Sequence, residues 1–248
     1  MNTTTLLPQQ IEQPKQNQNP TFAGDKKHLI HFLVPYEKKF LDYAVPRVPK
    51  QISTVHLTLM TIGWSLGCAL SGFLAQGDAR WLWAFSACIF FQYITDMLDG
   101  AVGRTRNSGL IKWGFYMDHF LDYIFLCGIT IGYSFLLPPS YGLLTLMSLT
   151  FSAGFMVHVF MDFSITNNFK ISVNQFGVSE MRWMLIFLNT ALIIFGKALL
   201  VTIFPFFVGA SFVALCVLVY KSQKTYRHID ALRQGQEGTL NNDTEGRM

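Results

Sequence analysis

Six long apolar blocks constrain this chain more than any other feature, at residues 57–75, 81–95, 115–137, 143–163, 181–195 and 198–220. About 20 apolar residues in a helix suffice to cross a bilayer. An amphipathic surface helix would instead break such blocks with polar residues at every third or fourth position. The second and fifth blocks are short and reach spanning length only by continuing helically into polar residues at one end. Charged residues make up 14% of the 248, against about 25% in soluble domains. The expected fold class is therefore all-α: a membrane protein built as a six-transmembrane-helix bundle. Glycine and proline mark its joints at "QGD" (76–78), "LPPSYG" (137–142) and "FGK" (195–197).

The basic residues orient this bundle. If the N-terminus is cytosolic, 17 of the 19 Lys and Arg fall on cytosolic segments, and only Arg80 and Lys197 face outward. The positive-inside rule then places both termini in the cytosol. Residues 1–33, rich in Gln, Asn, Thr and Pro at their start, read as a disordered polar N-terminus. The membrane domain covers 34–222, and 223–248 form a cytosolic tail, expected as a short helix followed by disorder. Within the domain, "VPYEKKFLDYAVPRVPKQI" (34–52) has two readings, an N-terminal interfacial segment lying on the membrane or a basic linker that only sets orientation. Pro46 and Pro49 limit any helix there to short pieces. The four cysteines lie inside apolar blocks without ligand spacing and read as buried small hydrophobes.

Against this background stands "TDMLDGAVGRTRNSGLIKWGFYMDHFLDY" (95–123), which sets Asp96, Asp99, Asp118 and Asp122 beside apolar blocks. Carboxylates near hydrocarbon are costly and are functional by default. Spacings of three and four place each pair on one helix face, so two adjacent helices can aim four carboxylates at one site. Unpaired, they would raise one another's pKa; one or two divalent cations would resolve the conflict through hard oxygen ligands. Two such ions can clamp a pyrophosphate. Gly100, Gly103 and Gly114 sit at the ends of these helices, where a missing side chain admits a ligand or another backbone. Arg104 and Arg106 supply phosphate-pairing cations beside them. The plainer reading is that the acids form structural ion pairs or line an ion path.

The pattern Asp96-x2-Asp99-Gly100-x2-Gly103-Arg104-x9-Gly114-x3-Asp118-x3-Asp122 closely resembles the signature of the CDP-alcohol phosphatidyltransferase family. The six-span layout extends the resemblance over about residues 40–220. Gly103 departs from the family's usual Ala. A second departure lies in "TVHLT" (54–58), where family members often carry Pro-Asn ahead of Leu/Ile-Thr. The resemblance implies transfer of a phosphoryl-alcohol group from a CDP-alcohol to an acceptor hydroxyl, with release of CMP, in phospholipid biosynthesis. It implies Mg²⁺ or Mn²⁺, two ions, on Asp96, Asp99 and Asp118, with Asp122 as general base that also touches metal. Gly100, Gly103, Arg104 and Gly114 would line the CMP pocket.

Four residues keep two readings each. Arg106 and Lys112 contact phosphate or only enforce topology, Arg182 binds a phosphate or anchors at the interface, and His158 helps bind the acceptor or satisfies itself against Asp162. The expected partners are a CDP-alcohol donor, an acceptor alcohol, membrane lipids and a second copy of the chain in a homodimer, with no nucleic acid. The six-span length favours CDP-diacylglycerol as donor over a soluble CDP-choline or CDP-ethanolamine with a lipid acceptor. His119, beside Asp118, points weakly the other way. A rival from another class is a cation transporter using the four acids. It requires polar residues toward the outer face, and "FLCGITIGYSFLL" offers almost none. A catalytically dead scaffold would require a lost aspartate, and all four are present.

Overall fold

The computed structural model describes residues 33–166 and 178–245; these are helices and short connections, with no strand among the described residues. The polar N-terminus expected at 1–33 lies outside the described residues except for Leu33. In chain order the helices are α1 Val34–Ala44, α2 Thr54–Leu74, α3 Trp81–Thr105, α4 Ile111–Ser134, α5 Gly142–Thr166, α6 Val178–Phe195 and α7 Ala198–Glu245. Short 3-10 turns follow α1 (Val45–Arg47) and precede α5 (Pro139–Tyr141). The segment before the first apolar block forms short pieces: α1 ends just ahead of Pro46, and the backbone becomes extended at Val48.

Each apolar block lies mainly in one of α2–α7, the first running past α2 to Ala75 and the third past α4 to Leu137. Three stretches are long and apolar enough to cross a membrane by length and composition: Thr54–Leu74, Pro139–Ile165 and Ala198–Ala231. The other three helices are 25, 24 and 18 residues long, and charged residues lie within them. These are Asp96, Asp99 and Arg104 in α3, Lys112, Asp118 and Asp122 in α4, and Glu180 and Arg182 in α6. The motif acids lower the hydropathy of α3 and α4, Glu180 and Arg182 that of α6, and composition alone does not establish the expected count of six. The second block does continue helically into polar residues, from Trp81 through Thr105. The tail differs from expectation, since α7 runs unbroken from the last block to Glu245. No proline follows Pro205, so nothing there removes a backbone donor or clashes with the preceding turn.

The centre of the bundle is α2, which packs along both α3 and α4. Helix α6 lies against α3, α5 against α4, and α7 against α5 and α6. Cys68, Phe85, Ile89, Phe125, Ile129 and Leu192 are among the buried side chains of the main core. Within that core, Tyr133 Oη donates to Asn189 Oδ1 at 2.8 Å, and Asn189 Nδ2 donates to Ser86 Oγ at 3.1 Å. This relay satisfies buried polar groups from α4, α6 and α3 together. At the end of the bundle away from the aspartates, Lys197 Nζ donates to the carbonyls of Ala75 (3.1 Å) and Gln76 (2.7 Å), closing the C-terminus of α2.

The contact between α2 and α4 is backbone against backbone. A Cβ on Gly128 would lie 2.5 Å from Ser65 O, and one on Gly132 would lie 2.7 Å from Cys68 O. One on Gly72 would strike the Gly132 backbone. Helices in lipid associate through this kind of close approach by small residues, because hydrocarbon supplies no hydrophobic drive between them. The sites on α3 and α4 inherit their spacing from it. Gly132→Val should therefore lower the thermal unfolding midpoint in detergent by about 5 °C or more, followed by the temperature at which purified protein loses its monodisperse elution. An unchanged midpoint would mean that the two helices can separate at little cost.

Candidate active site

The four aspartates lie where α3 and α4 approach α2 and α6. Asp96 and Asp99 are one turn apart on α3, and Asp118 and Asp122 one turn apart on α4. The structure divides them three and one. Arg182, in the first turns of α6, carries Nη2 to 2.9 Å from Asp96 Oδ2 and 3.5 Å from Asp122 Oδ1. Asp118 also acts electrostatically on this guanidinium. Arg182 itself is buried, with its side chain 8% exposed, whereas the carboxylates of Asp96 (22%), Asp118 (28%) and Asp122 (30%) reach solvent. The Tyr93 ring lies 5.7 Å from the guanidinium carbon, close enough for a cation–π contribution.

Asp99 is held apart from this group. Its residue is buried, and Thr58 Oγ1 on α2 lies 2.8 Å from its Oδ2. Thr58 Oγ1 is also 2.9 Å from Thr54 O. A hydroxyl has one proton, and the carboxylate is the stronger acceptor. Thr54 Oγ1 donates to the Asp99 carbonyl at 2.6 Å. Two hydroxyls one turn apart on α2 thus fix both the backbone and the carboxylate of Asp99.

Among the described residues, no three His, Cys, Asp or Glu side chains are gathered closely enough to hold a metal ion. The donor set nevertheless fits a divalent cation. Two carboxylates from two helices, Asp96 and Asp122, already meet one guanidinium, Asp118 acts electrostatically on it, and all offer the hard oxygens that Mg²⁺ and Mn²⁺ prefer.

The remaining sequence candidates are placed as follows. Gly100, Gly103 and Arg104 occupy the last turns of α3, and Arg104 is exposed, its guanidinium leaning toward Gly100. Gly114, in the first turn of α4, faces open space, and Lys112 beside it is exposed. Arg106 donates to Ile52 O (2.6 Å) and Val48 O (2.7 Å), strapping the segment before α2 onto the end of α3. His158 lies 3.5 Å from Ser222 on α7, and Tyr226 of α7 donates to Asp162, so these two side chains join α5 to α7. His119 Nδ1 donates to Phe115 O at 2.6 Å, with its ring against Phe115 and Phe160. Ser179, in the first turn of α6, donates to Glu37 Oε1 at 2.8 Å. Tyr93 Oη donates to the same oxygen at 2.6 Å, so Glu37 joins α1 to α3 and α6 beside the acids.

These observations define a helical membrane protein with an acidic, oxygen-rich site beside a cluster of glycine and arginine at one end of its bundle. The sequence profile described as CDP-alcohol phosphatidyltransferase matches residues 47–222, and the chain belongs to that family. It is thus a transferase, of a family that moves a phosphoalcohol group from a CDP-alcohol and generally depends on divalent metal. No curated protein and no solved structure matches the chain.

The two departures from the family pattern meet in space. Thr54 stands where the family often has Pro, and Gly103 where it usually has Ala. A Cβ on Gly103 would lie 2.8 Å from Thr54 Oγ1. The hydroxyl that holds the Asp99 carbonyl needs the space that Ala would fill, so the two changes act as one. Gly103→Ala and Thr54→Ala should each destabilise the protein. The double variant should lose less than the sum, by a coupling of about 0.5–3 kcal/mol, read from unfolding midpoints in detergent. Strict additivity would show that the contact carries no energy.

Proposed function

We propose that the protein transfers a phosphoryl-alcohol group, in the first instance phosphatidyl from CDP-diacylglycerol, to an acceptor hydroxyl with release of CMP. The observation that carries this reading is the convergence of Asp96, Asp118 and Asp122 on one cation beside the glycine-lined end of α3. Asp96, Asp99, Asp118 and Asp122 would hold Mg²⁺ or Mn²⁺, with Asp99 oriented by Thr58. When bound, the ions would neutralise charge on the pyrophosphate and on the departing CMP phosphate.

The chain's own residues do the rest. Gly100 and Gly114 leave room for the nucleotide, Gly103 borders it while making room for the Thr54 hydroxyl, and Arg104 pairs its phosphate. Arg182, the other cation within reach, turns from Asp96 and Asp122 to the donor or acceptor phosphate. Asp122 is the most exposed of the three acids grouped around Arg182. It accepts the proton of the acceptor hydroxyl as that oxygen attacks phosphorus and the bond to CMP breaks. Lys112, exposed at the rim, attracts anionic substrate. The charge distribution supports a cytosolic site with both termini inside. Apolar side chains exposed on α5 and α7, among them Leu143, Leu146, Phe206 and Phe212, are left to lipid or to the second copy of a homodimer. Phe85, Ile89, Phe125 and Ile129 fill the bundle beyond the site, which disfavours a cation path through it.

The reaction is tested by CMP release from CDP-diacylglycerol, CDP-choline and CDP-ethanolamine, with purified protein in lipid vesicles, Mg²⁺ or Mn²⁺ and a panel of acceptor alcohols and diacylglycerol. CDP-diacylglycerol should support release, and chelation should abolish it. Asp122→Asn should slow turnover by about 10²–10⁴-fold, the usual worth of a positioned base. Release from CDP-choline or CDP-ethanolamine alone would reverse which half is lipid. No release from any donor by folded protein would overturn the reading.

A further inference from the structure

Gln92 is completely buried, and neither its Oε1 nor its Nε2 has a hydrogen-bond partner among the described residues. An unpaired buried donor or acceptor costs about 1–3 kcal/mol, so an idle amide inside a bundle needs a reason. Its register supplies one. Gln92 lies on α3 four residues before Asp96, on the same helix face and about 6 Å away along the axis. Helical side chains lean toward the N-terminus of their helix, which brings the Asp96 carboxylate back over Gln92. Gln and Asp at this spacing form a recognised hydrogen-bonded pair. The next residues on this face toward the middle of the bundle, Ile89 and Phe85, are apolar and fully buried, and offer the amide nothing. Asp96 meanwhile gives its Oδ2 to Arg182.

We infer that Gln92 is a positioning residue for Asp96: its amide N–H takes the Asp96 carboxylate once Arg182 leaves for a ligand phosphate, and so presents that carboxylate to a divalent ion. This rests on the proposed transferase reading, in which Arg182 moves to phosphate and Asp96 holds metal. A parallel is already formed one turn further along α3, where Thr58 holds Asp99 at 2.8 Å. Both acids of α3 then have a neutral donor. The Asp99 pair is already made, and the Asp96 pair is made only when Arg182 departs. Partners that orient a ligating carboxylate typically change metal affinity by about 10–100-fold when removed.

The test compares full-length wild type with Gln92→Met, which keeps the length and loses the amide, and Gln92→Asn, which keeps the amide one methylene short. Free and bound Mn²⁺ are titrated by electron paramagnetic resonance in detergent with cytidine monophosphate present, so that Arg182 has a phosphate to move to. Thermal unfolding is followed in chelator. Both variants should bind Mn²⁺ about 10-fold more weakly, while the metal-free midpoint of Gln92→Met stays level or rises, because an idle amide has been removed. The Asn variant also supplies the affinity measurement if the Met variant does not fold. Wild-type Mn²⁺ affinity in the variants would overturn the inference and leave the transferase reading standing. A wild-type protein that binds no Mn²⁺ would overturn both.

Discussion

The structure depends on how it settles carboxylates that sit against membrane helices. Negative charges at close quarters repel and resist ionisation, and near hydrocarbon there is little water to screen them. One guanidinium resolves most of this: Arg182 reaches Asp96 at 2.9 Å and Asp122 at 3.5 Å. Because the arginine belongs to α6 and the acids to α3 and α4, that single group fixes three helices relative to one another. Its own placement is secured from behind by the Tyr93 ring and by Glu37, which accepts from Tyr93 and Ser179 together. Helix α1 is thereby joined to the site.

The helical class, the six apolar blocks and the aspartate constellation were legible in the sequence because each rests on a local regularity. Block length signals helices in a membrane, and three- and four-residue spacing signals a shared face. The division of the aspartates was not legible. Nothing in the spacing distinguishes Asp99 from Asp96; the difference comes from Thr58, 41 residues upstream, on a helix whose closeness depends on Gly72, Gly128 and Gly132. Arg106 and His158, which kept two readings each, show how neighbours add to residue type. Their side chains suit phosphate or acceptor chemistry, yet in the structure Arg106 holds the carbonyls of Val48 and Ile52 and His158 meets Ser222 on α7. Residue type proposes a chemistry, and the neighbours decide which part of it is used. Gln92 left a trace that could have been read, as a polar residue inside "WLWAFSACIFFQYI" set four before the first aspartate.

Helix α2 carries no acid of the motif, yet it sets where two of them sit. One of its faces presents Thr54, Thr58, Thr61 and Ser65, all buried, and these small side chains allow α3 and α4 to approach closely. Rigid elements hold a site more accurately than loops do. The connection from α3 to α4 supplies the contrast, since it turns through Asn107 and Gly109 at positive φ, a conformation in which glycine is at ease. The carboxylates stand on the packed helices, while Gly103 and Gly114 flank this turn.

The choice of neutral partners for the acids of α3 follows from what a metal ligand requires. A permanently paired cation would orient a carboxylate but would also satisfy its charge, and so compete with the ion it is meant to bind. A hydroxyl or an amide fixes the direction of the carboxylate and leaves its charge available. Thr58 does this for Asp99 in the structure as it stands. Arg182 does the reverse for Asp96 and Asp122, pairing with both at once; under the proposed reading it exchanges them for phosphate. A buried arginine facing half-exposed acids suits that role. It keeps the site from repelling itself open, and its natural alternative partner is the phosphate that the reaction brings in.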